Sequence, residues 1–340
     1  MAKIILAIIA NFVLMIMGAF YYFYEFEYKA YLHAPMQKKG ADIVYNFAAG
    51  ARVDAMINDL HKKGAIIKPN YVKAYARLAV DSTRLKAGVY QIKPSVQSPA
   101  ELFKMLISGK TKRVKIRLPA GWTLAKVLKS LGSSRALSNS GTVLDEAVVK
   151  SKLDIKRSNL EGLLYPDTYL IEPGMSDLQL VKIAYDHMAN VLQAEWENRS
   201  STAQVKNPYE ALILASIIEK ETARPEEKRI ISGVFNNRLK KKMRLQTDPT
   251  IIYGMGDKYK GNITKKDLHT DGPYNTYTRA GLPPTPICLP SASSINAALN
   301  PAKTQALFFV AKGDGTHSFS STYKEHKKAV WKYQIEASKK

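Results

Sequence analysis

The sequence is poor in cysteine, since Cys288 is the only one among 340 residues. A single cysteine cannot form an internal disulfide, so covalent cross-links do not hold this fold. The histidines, 6 in all, show none of the spacings that zinc sites use. No histidine stands near Cys288 in sequence, which argues against a thiol nucleophile. Carboxylates, hydroxyls and amides are therefore the candidate catalytic and binding groups, and we expect no cofactor.

Acidic residues are scarce relative to basic ones. The chain has 51 Lys and Arg against 29 Asp and Glu, and the difference is a net charge of +22. A hydrophobic share of 46% is ordinary for a folded protein and excludes extensive disorder. The charge favours an anionic partner such as an acidic polymer or lipid, unless it only serves solubility. Because no zinc knuckle, RNP signature or homeodomain pattern accompanies it, we expect no nucleic-acid partner.

Long apolar runs are also scarce, and the one that stands out is residues 4–24, IILAIIANFVLMIMGAFYYFY. At about 1.5 Å per residue, this run spans a hydrocarbon core of about 30 Å. A cleaved signal peptide would be shorter and would end in an A-x-A-like site, which the following YEFEYKAYLH lacks. Residues 1–24 are therefore predicted to be a short cytoplasmic tip and an uncleaved, single-pass membrane anchor. Lys3 precedes the run and Glu25 and Glu27 follow it, which places the N-terminus in the cytoplasm and the remainder outside.

After a predicted linker at 25–41, residues 42–110 read as a small separate unit. The pattern predicts a strand, two helices and a second strand, followed by a helix that Ser98 caps and Gly109 ends. This order of elements is that of a small carbohydrate-binding LysM-like module.

The strongest chemical candidate ends a helix that begins at Asn207-Pro208. Residues 211–218 are apolar on every side, which predicts a buried helix with Glu219 at the end of the buried run. Burial raises the pKa of a carboxyl, as a general acid near neutral pH requires. Glu221 points about 200° around the helix and is predicted to be solvated. In the alternative, both carboxyls are exposed and Glu219 pairs with Lys220 or with a residue of the next helix.

Two polar and aromatic loops follow that helix. They carry Gln246 and Asp248 in one, and Asn275 and Tyr277 in the other. Amides, carboxylates and aromatic faces are the mixture that a sugar site uses. We predict that these four side chains converge on Glu219 and line one cleft. The alternative is ordinary turn chemistry, since Asp-Pro and Pro-Tyr-Asn are common in turns.

Several segments, in this order along the chain, resemble the MltG (YceG-like) family of endolytic murein transglycosylases. The segments that carry the resemblance are EGLLYPDTY (161–169), ASIIEKET (215–222), RLQTDPTIIYGMG (244–256), YNTYTRAGLPPTPI (274–287), NPA (300–302) and FFVAKGDGTHSFS (308–320). The resemblance implies an α+β protein made of a single N-terminal transmembrane helix, a small LysM-like module and a mixed α+β catalytic domain. That domain is placed at 111–340, with its core at 158–340.

The same resemblance implies cleavage of the β-1,4 bond between N-acetylmuramic acid and N-acetylglucosamine to give 1,6-anhydro ends, which terminates nascent glycan strands. It implies Glu219 as the catalytic acid and base, with Asp167 and Asp248 as second candidates. Glu161 and Asp167 are expected to bind substrate together with the four loop residues. The implied partners are peptidoglycan glycan strands, the cytoplasmic membrane and peptidoglycan synthases of the penicillin-binding class.

Two other functions remain open from the sequence. One is a non-catalytic glycan-binding scaffold, which a glycan-release assay separates from an enzyme. The other is a hydrolase of the lysozyme type, which uses water and two carboxylates. Anhydro ends weigh one water less than reducing ends, so product masses separate the two enzymes.

Overall fold

The computed structural model describes residues 2–37, 39–134, 136–138, 144–157 and 159–336. The chain divides into two compact units, Met1–Val114 and Lys115–Lys340. Helices predominate, and the described strands pair in two-stranded sheets. The predicted mixture of helix and strand is confirmed.

The first unit begins with an apolar helix. Helix α1 (Ala2–Tyr22) continues through a π-helical stretch (Phe23–Lys29) into α2 (Ala30–His33). The stretch Ile4–His33 is long and apolar enough to cross a membrane, and none of its most apolar part is buried in the protein. An apolar helix with no protein surface to cover it requires an apolar surrounding.

The predicted linker at 25–41 differs from the structure in its first half. Residues 25–33 continue the helix because neither glycine nor proline interrupts them before Pro35. A Glu25–Lys29 ion pair of 2.8 Å at i,i+4 spacing supports this turn. The helix therefore continues without a break from the apolar segment to His33.

The rest of the first unit has the predicted order of elements. Strand β1 (Ile43–Phe47) is followed by α3 (Val53–Lys62), α4 (Pro69–Ala79), β2 (Gly88–Ile92) and α5 (Pro99–Ser108). The strands pair antiparallel, with Ile43 opposite Ile92 and Phe47 opposite Gly88. A capping box of Ser98 and Glu101 starts α5, and Gly109 ends it at a φ of 71°. These elements enclose one apolar core, formed by Met36, Phe47, Met56, Ile57, Leu60, Ala65, Ile66, Val72, Tyr90, Ile92, Leu102, Phe103 and Leu106.

The second unit is mainly helical. Its early part contains β3 (Val114–Arg117), α6 (Leu124–Gly132), α7 (Glu146–Lys152) and β4 (Thr168–Ile171), which pairs with β3. The helices α8 (Asp177–Glu197), α9 (Pro208–Glu221), α10 (Pro225–Lys240), α11 (Asp248–Met255), α12 (Lys265–His269) and α13 (Ala292–Leu299) follow. A hairpin of β5 (Phe308–Ala311) and β6 (His317–Ser320), helix α14 (Tyr323–Val330) and a π-helical stretch (Trp331–Glu336) complete the described chain.

Helix α9 is the centre of this unit. Residues 211–218 are all buried, as the apolar sequence predicts, and α8, α10, α11 and α13 pack around them. Asn207 caps the helix by accepting a hydrogen bond from the Glu210 amide at 2.9 Å. The carboxyl end of this buried helix, at residues 219–221, carries the candidate chemistry.

One predicted loop is a helix. The segment from Gln246 to Pro249 is predicted to be a loop, yet α11 begins at Asp248. Aspartate and proline are both favourable in a first helical turn, because one complements the helix dipole and the other needs no amide partner there. This helix start aims residues 246–248 toward the end of α9.

Candidate active site

A cavity of about 490 Å³ opens at the carboxyl end of α9. One wall is polar and comes from α9, α10, the start of α11 and the loop after α12. The opposite wall is largely aromatic and comes from the β5–β6 hairpin and α14. The polar wall contains Glu221, Arg238, Gln246, Thr247, Asp248 and Tyr277, and the opposite wall contains Phe308, Phe309, His317, Tyr323 and His326. The combination of carboxylates, amide and aromatic rings is that of a carbohydrate cleft.

Glu221 contributes a carboxyl to this cavity, and the residue is half-buried. Its Oε1 accepts a hydrogen bond from the hydroxyl of Thr247, which precedes α11. The pKa of Glu221 is raised to about 7, mainly by burial away from water, and the nearby Asp248 charge acts in the same direction. The Thr247 hydroxyl, His317 and Arg238 act in the opposite direction. A carboxyl with this pKa can give and take a proton near neutral pH.

Glu219 occupies a different environment, on the side of α9 that faces α13. Its Oε2 accepts hydrogen bonds from the Ser291 amide at 3.1 Å, the Ser291 hydroxyl at 2.5 Å and the Ser294 hydroxyl at 2.6 Å. Lys228 of α10 also lies 3.1 Å from this oxygen, and both side chains are nearly buried. Burial alone would raise the pKa of Glu219, but the serine hydroxyls and Lys228 outweigh it and lower the pKa. Glu219 is thus held as a carboxylate.

The structure confirms that Glu219 is nearly buried, but the predicted rise in its pKa is wrong, because the pKa is lowered. The prediction that Glu221 is solvated is wrong, because its carboxyl points into the cavity and not into bulk water. Glu219 is paired with Lys228 of the next helix, as the alternative expected, but it is not exposed as that alternative required. Three of the four predicted loop residues, Gln246, Asp248 and Tyr277, line one cavity, but the carboxyl of α9 in that cavity is Glu221 and not Glu219.

Asp248 and Tyr277 form a pair at the rim of the cavity. The Tyr277 hydroxyl donates to Asp248 Oδ1 at 2.6 Å. Asn275 does not line the cavity. Its buried amide nitrogen donates to the carbonyls of Asp267, Leu268 and Thr270, at 3.1, 3.2 and 2.7 Å. Its Oδ1 accepts from the Tyr277 amide at 2.9 Å, so Asn275 shapes the loop that presents Tyr277.

Gln246 is held beside a buried arginine. Its backbone has a φ of 49°, a left-handed conformation that is uncommon for a residue with a side chain. The Gln246 amide donates to the Thr276 carbonyl at 3.1 Å, and Arg238 donates to the Leu245 carbonyl at 2.8 Å and the Leu307 carbonyl at 2.6 Å. Arg238 therefore joins the loop before α11 to the β5–β6 hairpin.

His317, a wall residue that the sequence did not single out, is bonded to Glu227 behind the wall. His317 Nδ1 lies 2.7 Å from Glu227 Oε2, and the His317 amide donates to Glu227 Oε1 at 2.8 Å. The carboxylate fixes the proton on Nδ1, so Nε2 is the ring nitrogen left for the cavity. Among the described residues, none hydrogen-bonds Nε2. Burial raises the pKa of Glu227, but its bonds to His317 outweigh that effect and lower it.

Glu161 and Asp167 lie apart from the Glu221 cavity. Glu161 borders a second cavity of about 400 Å³ beside α6 and α11, and its carboxyl accepts from the Leu124 amide at 2.8 Å and the Tyr253 hydroxyl at 3.1 Å. Burial raises the pKa of Glu161 to about 7. Asp167 is exposed, and its Oδ1 accepts from the Thr168 amide at 2.6 Å. Neither residue lines the cavity that contains Gln246, Asp248 and Tyr277.

Cys288 is fully buried, and its thiol donates to the Ser216 carbonyl at 3.3 Å. Burial raises the pKa of this thiol, so it stays protonated. Cys288 serves packing between α9 and the segment before α13.

Arg238 could have been found from the sequence. Residues Ile231, Val234 and Phe235 form the core stripe of α10, and position 238 continues it at i+3 and i+4. Arg238 is only 7% exposed and Lys228, at i−3 from Ile231, is 5% exposed. A charged residue on an apolar stripe signals a buried partner, and both cations have one.

Residues 45–332 match the profile of the YceG-like family. The chain belongs to the YceG-like family. A YceG-like protein of Listeria monocytogenes, known from a 2.6 Å crystal structure, is 31% identical, with a TM-score of 0.52. The match covers 85% of this chain and 99% of the Listeria chain.

Curated relatives of this YceG-like protein carry a functional name. The Bacillus subtilis (strain 168) relative, named endolytic murein transglycosylase, is 32% identical over 325 residues, which cover 91% of this chain and 89% of the relative. A relative of the same name from Streptococcus pneumoniae serotype 2 (strain D39) is 30% identical over 317 residues. That match covers 83% of this chain and 56% of the longer pneumococcal protein. The resemblance seen in the sequence is confirmed.

Proposed function

We propose that this YceG-like protein is an endolytic murein transglycosylase in which Glu221, and not Glu219, is the acid and base. The observation that carries the proposal is the Glu221 carboxyl itself, with a pKa of about 7 in a cavity lined by polar and aromatic side chains. Glu219 is a poor donor because it is held as a carboxylate beside Lys228. The names of the relatives support the substrate and the reaction.

In the proposed reaction, one carboxyl acts twice. Protonated Glu221 gives its proton to the O4 of N-acetylglucosamine as the bond from that oxygen to the muramic C1 breaks. The resulting carboxylate then takes the proton of the muramic C6 hydroxyl, whose oxygen bonds to C1. Water is neither consumed nor released, and Glu221 ends as it began. The product is a 1,6-anhydro end.

The remaining cavity residues hold the sugar. Arg238 donates 4 hydrogen bonds to carbonyl and side-chain amide oxygens. These bonds hold the two walls of the cavity in a fixed position. Phe308 and Tyr323 offer ring faces on which sugar rings can stack. Asp248 and Gln246 present oxygens and an amide to hydroxyl groups. Asp248 lies in the same cavity as Glu221, and this favours the lysozyme-type hydrolase as second candidate, since such an enzyme uses two carboxylates.

Product masses test the proposal. Purified peptidoglycan is digested with the protein and the released fragments are weighed. Ends that are one water lighter than reducing ends support the transglycosylase, and reducing ends support the hydrolase. Absence of any released fragment supports the scaffold function.

Activity is expected to fall as the pH rises through about 7. The reaction begins with protonated Glu221, and the pKa of about 7 means that this form is lost as the pH rises. Above that pKa, the single-turnover rate should decline about tenfold per pH unit. The measurement is the initial rate of fragment release from about pH 5 to pH 9, with unfolding monitored in parallel. A rate that stays constant from about pH 6 to pH 9 contradicts the assigned proton donor.

The Glu227–His317 pair supplies a further prediction. Glu227→Gln should lower the turnover rate by about tenfold or more, because His317 loses the carboxylate that orients its Nε2 toward the cavity. The matched control is Glu226→Gln, whose carboxyl is exposed and lies 3.5 Å from Arg224. Equal turnover in the two variants, both folded by circular dichroism, would show that His317 does not need this orientation.

We further propose that the apolar helix is an uncleaved anchor in the cytoplasmic membrane, with the N-terminus inside and both units outside. The absence of an A-x-A-like site and the charges on either side of residues 4–24 support this topology. The Glu221 cavity would then face the compartment that contains peptidoglycan. Peptidoglycan synthases of the penicillin-binding class are the proposed partners, because glycan polymerisation must supply the substrate.

The first unit is proposed to bind glycan as a LysM-like module. A cavity of about 670 Å³ lies between the β1–α3 turn and the segment from α4 to β2. Arg52 and Arg77 border it, and their charge suits the carboxylates of peptidoglycan peptides. The strand–helix–helix–strand order supports the same assignment.

A further inference from the structure

Three aromatic residues near the end of the apolar helix contact α4 within the same unit. Phe23, Tyr28 and Tyr31 place their ring centroids 5.7, 5.8 and 5.7 Å from that of Tyr71 in the first turns of α4. Tyr71 thus packs against about eight residues of continuous helix. Pairs of aromatic rings at such distances are worth about 0.5–1.5 kcal/mol each beyond the area they bury.

Lys68, just before α4, reinforces this contact. Its amide donates to the Tyr31 hydroxyl at 3.1 Å, and its Nζ lies 3.4 Å from Glu27 Oε2. The same ammonium sits 4.8 Å from the Tyr71 ring centroid and 5.5 Å from that of Tyr31. Further along the chain, Leu32 is buried and the Met36 amide donates to the Gln97 carbonyl at 2.9 Å. We call the contact of Phe23, Glu27, Tyr28 and Tyr31 with Lys68 and Tyr71 the juxtamembrane clasp.

The clasp fixes the height of the first unit above a membrane. If residues 4–24 fill the hydrocarbon core, Glu27 lies about 5 Å and Tyr31 about 10 Å beyond it along the helix. The headgroup layer is about 5–8 Å thick on each side of the core. Tyr71 contacts the helix from Phe23 to Tyr31, so the start of α4 lies at the level of this layer.

We propose that the start of α4, held by the juxtamembrane clasp, is a lipid-contacting surface whose partner is the phospholipid headgroup layer. Ile67 is 57% exposed beside Lys68, and the exposed Lys62 and Lys63 close the preceding helix. An apolar side chain among lysines suits the boundary between water and anionic lipid. The proposal rests on the membrane anchor of the proposed function. As a consequence of this lipid contact, the folded part of the first unit rests on the bilayer and is not mobile on a flexible linker.

Depth-dependent fluorescence quenching tests this proposed contact with lipid. The full chain is placed in nanodiscs of phosphatidylcholine and phosphatidylglycerol, with a spin label on the lipid headgroup or on the acyl chain. A fluorophore is attached at Ile67→Cys or at Val96→Cys, and the fully buried Cys288 is left in place. Val96 is the matched control because it is 62% exposed, as an apolar residue comparable to Ile67. It precedes Gln97, whose carbonyl accepts a hydrogen bond from the Met36 amide, and Met36 lies beyond the end of the helix. That end lies roughly 14 Å beyond the hydrocarbon core.

The expected result is quenching at position 67 by the headgroup label that is several-fold stronger than at position 96. Adding Lys68→Ala and Tyr71→Ala should reduce the quenching at position 67 to the level at position 96. Equal quenching at the two positions without these substitutions, or no effect of them, overturns the proposal. A third fluorophore at Phe12→Cys reports on the anchor alone. If the acyl-chain label does not quench this fluorophore, the proposal of a membrane anchor is wrong, and the proposed lipid contact of α4 is overturned with it.

Discussion

Glu221→Gln is expected to lower the rate of glycan cleavage on the order of a thousandfold while the protein stays folded. The amide keeps the shape of the side chain and can still bond Thr247, but it cannot give a proton to the leaving oxygen. The measurement is fragment release from purified peptidoglycan, expressed per folded molecule. General acid–base groups contribute about 10²–10⁴ in rate, so the loss should be near complete in such an assay.

Glu219→Gln is the matched control, since it is the same substitution two residues away on the same helix. Per folded molecule, this variant should retain activity within several-fold of the natural protein, because its carboxyl faces Ser291 and Lys228 and lies outside the cavity. The opposite outcome, an active Glu221→Gln and an inactive, folded Glu219→Gln, would restore the assignment expected from the sequence.

The second large effect concerns stability. Glu219→Gln should lower the free energy of unfolding by about 3 kcal/mol or more, because it leaves the Lys228 ammonium buried without a counter-charge. The Lys228 side chain is only 6% exposed in its pair with Glu219. Urea unfolding of Glu219→Gln, Lys228→Met and the double variant forms a double-mutant cycle. The double variant should recover much of the lost stability, and simple additivity of the two single effects would contradict the ion pair's role.

Glu221→Gln should have the opposite effect on stability, with a defined pH dependence. Folding raises the pKa of Glu221 from 4.5 to about 7, so the folded state is penalised as this carboxyl ionises. The contribution of the protonated carboxyl is fully present below about pH 4.5 and is lost as the pH rises through about 7. The amide should therefore stabilise the protein by on the order of 2 kcal/mol at about pH 8, and little at about pH 4. Such a gain on removing a functional group is common at active sites.

Much of the second unit could be predicted because its signals are local. The cap at Asn207, the proline at 208 and the apolar run at 211–218 define α9 without reference to the rest of the chain. The direction of each glutamate could not be predicted in the same way. A helix that is buried on every side has no solvated face, so Glu219 and Glu221 can point about 200° apart and both be removed from water. Which of them meets serines and which meets a cavity depends on α13 and α11, which are distant in sequence.

The loop residues illustrate the same limit. Gln246, Asp248 and Tyr277 were predicted to share a cleft, and they line one cavity. Asn275 was predicted to join them, but three backbone carbonyls of its own loop take its amide nitrogen. An asparagine offers the same donors to a sugar or to a turn, and composition alone does not distinguish the two uses.

Carbon-13 NMR titration of the glutamate carboxyls is the most direct test of the account. Side-chain-labelled protein lacking the anchor helix would be titrated from about pH 3 to pH 9, and the two resonances assigned by their loss in Glu221→Gln and in Glu219→Gln. The Glu221 resonance is expected to titrate near pH 7, and the Glu219 resonance is expected to titrate below its ordinary value of 4.5. A Glu221 resonance that titrates near 4.5, or a Glu219 resonance that titrates above it, would contradict the assignment of Glu221 as the proton donor.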